Sequence, residues 1–380
     1  MSWEKVRLGD VTDSCLGKML DQHKNKGDLH PYLANINVRW GNFELDNLPQ
    51  MRFEDSENER YGIQYGDLIV CEGGEPGRCA IWKEQIPNMK IQKALHRIRV
   101  HDCLDYRYLY YWFLWAGKRG ELEQYFTGST IKHMPGEKLK SIVIDMPPLN
   151  TQRYIASILS AYDDLIENNQ KQIKLLEEAA QRLYKEWFVD LRFPGWENTK
   201  IVDGVPEGWE RATVGSLLRK ISRTKQILAC DYQIDGTIPI IDQSRDFIAG
   251  YTNNTEARIE LNEPIIVFGD HTRILKYITF PFAKGADGTQ LIISSSDRMP
   301  QSLFYFSLIH VDLSNYHYAR HFKYLKESVV LVPTRIIAQS FDSIVQSIMS
   351  RIQVLRDNSF KAIKVRNQLI PKLMSKETEV

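Results

Sequence analysis

The feature that most constrains this chain is that it is written twice. It opens with "SWEKVRLGDV", and from residue 208 it reads "GWERATVGSLL", so Trp3, Glu4 and Leu8 have counterparts in Trp209, Glu210 and Val214. "YGDLIVCEGG" is answered by "NEPIIVFGDH", each an apolar strand-like run closed by a glycine turn. "DMPPLNTQRYIASILSAYDDLIENNQ" is answered by "LVPTRIIAQSFDSIVQSIMSRIQVLR". Setting Pro147 on Pro333 brings Ile155 over Phe341, Ile158 over Ile344 and Leu183 over Leu369 at one offset, with Gln339 a loose counterpart of Gln152. Between tryptophan and proline the second copy is about 20 residues shorter, so a fixed framework carries variable material.

After the prolines the apolar positions alternate steps of four and three. They run Ile155, Leu159, Tyr162, Ile166, then Ile173, Leu176, Ala180, Leu183 and Trp187, with Asn169 in the one polar slot. That is a heptad seam over more than four heptads, and a seam Asn fixes register. In the second copy Phe341, Val345, Ile348, Ile352 and Leu355 keep the period, Ser359 and Arg366 break it, and Ile363, Leu369 and Leu373 resume it on a neighbouring face. Pro371 is expected to bend or end that helix.

Each seam needs a partner, and the economical one is the other seam. Paired antiparallel, they form a rod; Ile155 to Trp187 spans roughly 50 Å. One DNA turn is about 34 Å, so such a rod could set two half-sites about a turn or slightly more apart. A dimerisation coiled coil or a core helix pair fits the same spacing.

The expected organisation is a globular domain over 1–150, a long helix over 151–190, a linker over 191–208, a second globular domain over 209–335 and a second long helix over 336–376. The linker "RFPGWENTKIVDGVPEGW" is rich in turn formers, with the boundary near Asp203. The fold class is α+β, mixed α/β: two globular domains joined by two long helices in an antiparallel coiled coil, with an internal pseudo-two-fold repeat.

Catalytic constellations are not found. An adenine methyltransferase loop needs Asp, Asn or Ser directly before Pro-Pro and an aromatic after; here Met146 precedes and Leu149 follows. "GGEPGR" lacks the Gly-Lys-Ser/Thr ending of a phosphate loop, and no histidines show HExxH spacing. Asp67, Glu72 and Glu75 resemble a nuclease carboxylate cluster only without its lysine. The five cysteines (Cys15, Cys71, Cys79, Cys103, Cys230) show no CxxC spacing and suit free thiols in a reducing compartment. No run nears the roughly 18 apolar residues of a membrane span. A cytoplasmic protein is expected.

DNA-contact chemistry is easier to place. Residues 1–208 carry 27 basic and 31 acidic side chains, hence −4; residues 209–380 carry 22 and 17, hence +5, and the sum is the net +1. That bias is compatible with nucleic acid without requiring it. "FTGSTIKHMPGEKLKSIVI" offers Thr127, Ser129, Thr130, Lys132 and His133; "NYHYARHFKYLKESVVLVP" offers Tyr316, His317, Arg320, His321 and Lys323. "YLANINVRWGNF" adds Asn35, Asn37 and Arg39, and "IIDQSRDFIAGY" adds Gln243 and Arg245. Hydroxyls, amides and cations of this kind reach phosphates and base edges, and the same residues also suit a solvated loop. His317 and His321, four apart with Arg320 and Lys323 between and beside them, read as a basic surface rather than a metal site.

The two-copy plan resembles the specificity subunit of type I restriction–modification enzymes. Gly128, Ser129, Thr130, His133, Pro147, Pro148, Leu149 and Gln152 carry the match, with "YGDLIVCEGGEPG" beside them. The resemblance implies a non-catalytic DNA-reading subunit whose two target recognition domains read an asymmetric split site in double-stranded DNA. The long helices would space them and dock two modification subunits, which use S-adenosylmethionine to methylate adenine; two motor-nuclease subunits using ATP and magnesium would join for cutting. This chain would bind no cofactor and no metal. A reading from another class is a coiled-coil scaffold carrying two protein-binding modules.

Overall fold

A computed structural model describes residues 3–21, 25–221, 224–285, 287–315 and 320–375. It comprises two compact units, Met1–Asn168 with Ser359–Val380, and Asn169–Asn358. Both divisions fall within long helices, Leu149–Tyr184 and Arg335–Met374. Among the described residues no helix is long and apolar enough to cross a membrane.

In the first unit Glu4–Arg7 pairs antiparallel with Val143–Met146, Glu4 opposite Met146. An antiparallel sheet follows in the order Thr12–Leu16, Leu95–Val100, Leu68–Cys71, Cys79–Ile81. Leu68–Cys71 is buried along its whole length, as its unbroken apolar run requires. A second sheet sets Asp28–Leu33 between Gln50–Phe53 and, in parallel, Lys90–Ile91. The helix Tyr106–Lys118 starts where Asp105 accepts the amides of Arg107 and Tyr108, and buries Tyr108, Tyr111 and Phe113.

The second unit repeats the frame. Glu210–Thr213 pairs with Val329–Val332, Glu210 opposite Val332. Ile265–Gly269 lies between Leu275–Ile278 and Thr289–Ile292, both antiparallel. A four-stranded sheet runs Gly250–Thr252, Ile238–Ile241, Phe282–Lys284, Arg258–Ile259, its middle pair parallel. The core is aromatic: the fully buried Phe341 ring lies 5.1–6.2 Å from those of Tyr184, Trp187, Phe188 and Phe306.

The first long helix runs on through a π turn, Lys185–Val189. In the first unit Ile155, Leu159 and Ile166 are buried and Tyr162 half-buried. Arg366 pairs there with Asp163, which also accepts the Tyr111 hydroxyl at 2.6 Å. In the second unit Ile173, Leu176, Leu183 and Trp187 share a core with Phe341, Val345, Ile348 and Ile352, and Arg356 pairs with Glu177 at 2.7 Å. Asn169 and Leu355 are buried too.

Two expectations change. The apolar face past Ser359 keeps half-buried Leu369 and Leu373 beside buried Ala362, Ile370 and Met374, while Ile363 is exposed. Arg366 interrupts the seam because it answers a carboxylate. Nor does Pro371 end its helix, which continues to Met374, the Ser375 amide bonding the Pro371 carbonyl at 2.9 Å. A proline this close to the terminus removes one intrahelical bond and leaves the turn intact.

Candidate nucleic-acid interface

In the first unit three segments meet where Leu68–Cys71 ends. The strand opens into a turn containing Gly73, Gly74 and Gly77, the last two at φ of +73° and +90°. A hairpin arm crosses it: Thr127 and His133 exchange backbone hydrogen bonds of 2.7 and 2.9 Å, and His133 bridges to Gly73. A Cβ on Gly73 would stand 2.9 Å from His133 Nδ1, so a larger residue there would push the His133 ring aside. The third segment is the short helical turn Asn35–Asn37, whose Asn35 Nδ2 donates to Gly73 O at 2.9 Å.

This arrangement leaves the arm's tip in solvent. Thr127, Ser129, Thr130, Lys132 and His133 are all exposed. Lys132 keeps a loose pair with Glu123 at 3.4 Å, and Arg39 donates to Glu44 at 3.0 Å. Below, the Met134 amide donates to Glu72 O at 2.7 Å, and buried His96 contacts Met134 O through Nε2 at 2.9 Å. Burial lowers the His96 pKa, so this support is a neutral ring at physiological pH.

The second unit builds the same support from other side chains. Ile265–Gly269 opens into Asp270–Arg273, and the His321 amide donates to Asp270 O at 3.0 Å, as Met134 does to Glu72. Gln243 locks the turn, accepting the His271 amide at 3.1 Å and donating to Asp287 O at 2.9 Å. Its own carbonyl accepts Thr272 Oγ1 at 2.7 Å. Arg245, Arg320 and Lys323 are exposed around it, as are His271 and Thr272. The last two were readable as the "GDHT" closing the apolar run.

Some expected contact residues point inward. Asn37 is 7% exposed; its Oδ1 accepts the Ala34 amide and its Nδ2 donates to Glu44 O, so it shapes the turn. His321 is 5% exposed with Nδ1 on Asp270 O. It opens the helix His321–Glu327, so the basic face begins there; Tyr316 and His317 lie outside the described residues. The three carboxylates do not gather. Asp67 is buried at the far end of its strand, bonded twice to Arg99 at 2.8 Å, and Glu75 engages Arg78 and the Trp40 indole. Among the described residues no group of three or more His, Cys, Asp or Glu could hold a metal.

Both units thus carry loops of hydroxyls, amides and cations on the ends of buried strands. Residues 1–178 match the family model of the type I restriction modification DNA specificity domain. The chain is 29% identical over 340 residues to the type I restriction enzyme MjaIX specificity subunit of Methanocaldococcus jannaschii, covering 83% of this chain and 78% of that one. It is 29% identical over 214 residues to the MjaVIII specificity subunit of the same organism, 55% of this chain and 47% of that one. In fold it is similar to the crystal structure of the type I restriction–modification S subunit from M. genitalium, at a TM-score of 0.58 and 16% identity, covering 100% and 97% of the two chains. Over residues 1–178 the chain thus matches the type I specificity-domain model, and over most of its length it is similar to a type I specificity subunit.

Proposed function

We propose that the two loop clusters read the two halves of a split, asymmetric site in double-stranded DNA, and that the long helices pair antiparallel as a coiled-coil spacer on which two modification subunits dock. The observation that carries this reading is the repeated support with unrepeated tips. Met134 on Glu72 and His321 on Asp270 hold equivalent turns, while Asn35, Arg39, Thr127, Ser129, Thr130, Lys132 and His133 on one and Gln243, Arg245, Arg320 and Lys323 on the other differ throughout. The pairs Asp163–Arg366 and Glu177–Arg356 support the antiparallel register, since the first helix's numbers rise as the second's fall. Phosphate contacts set position and base-edge contacts set sequence. An adenine in each half-site is flipped into a partner's pocket, where S-adenosylmethionine supplies the methyl group. ATP and magnesium belong to the motor-nuclease partners, two of which complete the cutting complex in the cytoplasm.

Long-read methylation mapping of a host carrying the neighbouring methyltransferase gene, with and without this chain, tests the reading. A split adenine-methylated motif that requires the chain is expected. Exchanging Gln243 and Arg245 for alanine then alters one half of that motif and leaves the other. An unchanged methylome with co-purifying proteins would instead favour a scaffold carrying protein-binding modules.

A further inference from the structure

The first unit has a second concavity at the other end of its central strand. Asp67 precedes that strand and Glu72 follows it, so a cleft lined by Arg99 and Gln64 lies at the opposite end from the Gly73 turn. Its volume is about 670 Å³. Ile63, Trp82, Ile86 and Pro87 give it apolar walls, and Lys90 lies among its lining residues at 4% exposure. Among the described residues no carboxylate or hydrogen-bond acceptor engages the Lys90 ammonium. A Cβ on Gly62 would stand 3.5 Å from Nζ, which places that bend over the amine.

Charges around Lys90 sharpen the point. Arg99 is neutralised by its two bonds to Asp67. Arg97, 7% exposed, donates only to the Glu59 and Gly62 carbonyls and joins no ion pair among the described residues. Lys90 at the cleft and Arg97 beside it therefore stand without a paired carboxylate. An unpaired ammonium that faces a cleft is a point charge open to an arriving anion. Two exposed carboxylates, Glu59 and Glu84, also line the cleft and oppose an anion there.

We infer that this cleft binds a small phosphate monoester with a planar organic body, a mononucleotide, with its phosphate on Lys90 and its ring against Ile63, Ile86 and Pro87. Lysine serves phosphate as a point charge, and the cleft's volume falls in the range of small-molecule sites. A duplex suits the cleft poorly. Its backbone carries a charge every 1.7 Å or so and would bring further phosphates against Glu59 and Glu84.

Calorimetric titration of the full chain with 5′-AMP tests this, with inorganic phosphate and a blunt duplex as competitors. Binding is expected to weaken at least tenfold in Lys90→Gln and to tighten two- to threefold in Glu84→Gln, which removes a rim charge. Amine-reactive labelling read by mass spectrometry should show Lys90 protected by 5′-AMP. If Lys90→Gln does not fold, the Glu84→Gln shift and the protection decide the matter. Absence of AMP heat, or unchanged affinity in Lys90→Gln, would overturn the site. Displacement of AMP by the duplex would assign the phosphate to DNA, and phosphate binding as tightly as AMP would remove the nucleotide; either sinks the ligand named here. The methylated motif should be the same with Lys90→Gln as without it, so this test and that of DNA specificity fail independently.

Discussion

The two units pair their framing strands in one register, Glu4 opposite Met146 and Glu210 opposite Val332, yet tie the end of that frame from opposite directions. In the first, the Pro147 carbonyl accepts Gln152 Nε2 at 2.8 Å from inside the following helix, and the same side chain accepts the Asp105 amide and donates to Cys103 O. In the second, the Pro333 carbonyl accepts Arg298 Nε at 2.8 Å from the segment before Gln301–Ile309. Arg298 also donates to Val332 O and Gly208 O and pairs with Glu210. The offset from Pro147 to Pro333 is 186, so Gln152 falls on Ala338, which is fully buried; Gln339 is exposed and is not its counterpart. What the fold repeats is the need to satisfy that carbonyl, and either side of the gap can answer it.

The largest effect expected from breaking this comparison is at Gln152. It is fully buried, so Gln152→Leu strands two carbonyls and an amide and should cost about 3–5 kcal/mol in chemical denaturation. Arg298 keeps 30% of its side chain in solvent, and water can replace part of what it gives. Arg298→Met should cost about 1–2 kcal/mol. Equal losses would mean that the two ties are equivalent after all.

The same contrast shows what was readable in the sequence. The repeat was readable from the Trp-Glu openings, the apolar runs closed by glycine and the proline punctuation, whereas the strand pairing Glu4 with Met146 and Glu210 with Val332 joins segments too far apart to leave a local pattern. The first seam was clear from its heptad period. The second faded at Arg366 because an ion pair interrupts an apolar period without ending the helix. Asn37 and His321 were indistinguishable from contact residues, since the groups that reach a base edge also bond a neighbouring backbone. Arg298, Lys90 and Arg97 belong to no pattern at all. What each does depends on a partner 34 to 90 residues away or on a cleft, and neither leaves a local mark.

Next in size are the two helix pairs. Arg366 is 14% exposed, and although burial lowers its pKa, Asp163 and its neighbours raise it overall, so attraction exceeds the cost of leaving water. In Glu177–Arg356 burial prevails on both sides, raising the acid and lowering the base. Asp163→Asn with Arg366→Met should therefore cost about 2 kcal/mol, and Glu177→Gln with Arg356→Met between about 0 and 1. Thermal unfolding of the two double variants measures the difference. A larger loss in the second unit would reverse the assignment of which pair stabilises.

On DNA, the exposed cations should act through salt dependence. Lys132→Ala is expected to lower the slope of log K against log salt by about 0.9, and Arg320→Ala with Lys323→Ala by about 1.8, without changing sequence preference. Filter binding with the assembled methyltransferase across salt concentrations reads both. A changed methylation motif would show that these side chains read bases.

The last comparison is between two buried lysines. Lys276, 4% exposed, donates to Asp246 O and lies 3.9 Å from Asp242, yet burial brings its pKa down to about 8. Burial lowers that of Lys90 as well, with no acid to offset it. Between about 8 and 10.5 the unfolded chain holds a proton at Lys276 that the folded one has released, so stability rises with pH across that window. Below 8 both states are protonated and the penalty is complete. The gap corresponds to at most about 3 kcal/mol. Wild type should thus gain on Lys276→Met as pH climbs from 8 to 10.5, and Lys90→Met should show a gain of the same sign. With 5′-AMP bound the Lys90 difference should shrink, because an anion restores the charged form, while that at Lys276 should not move. A shrinkage at both would mean that the nucleotide stabilises the chain without touching Lys90.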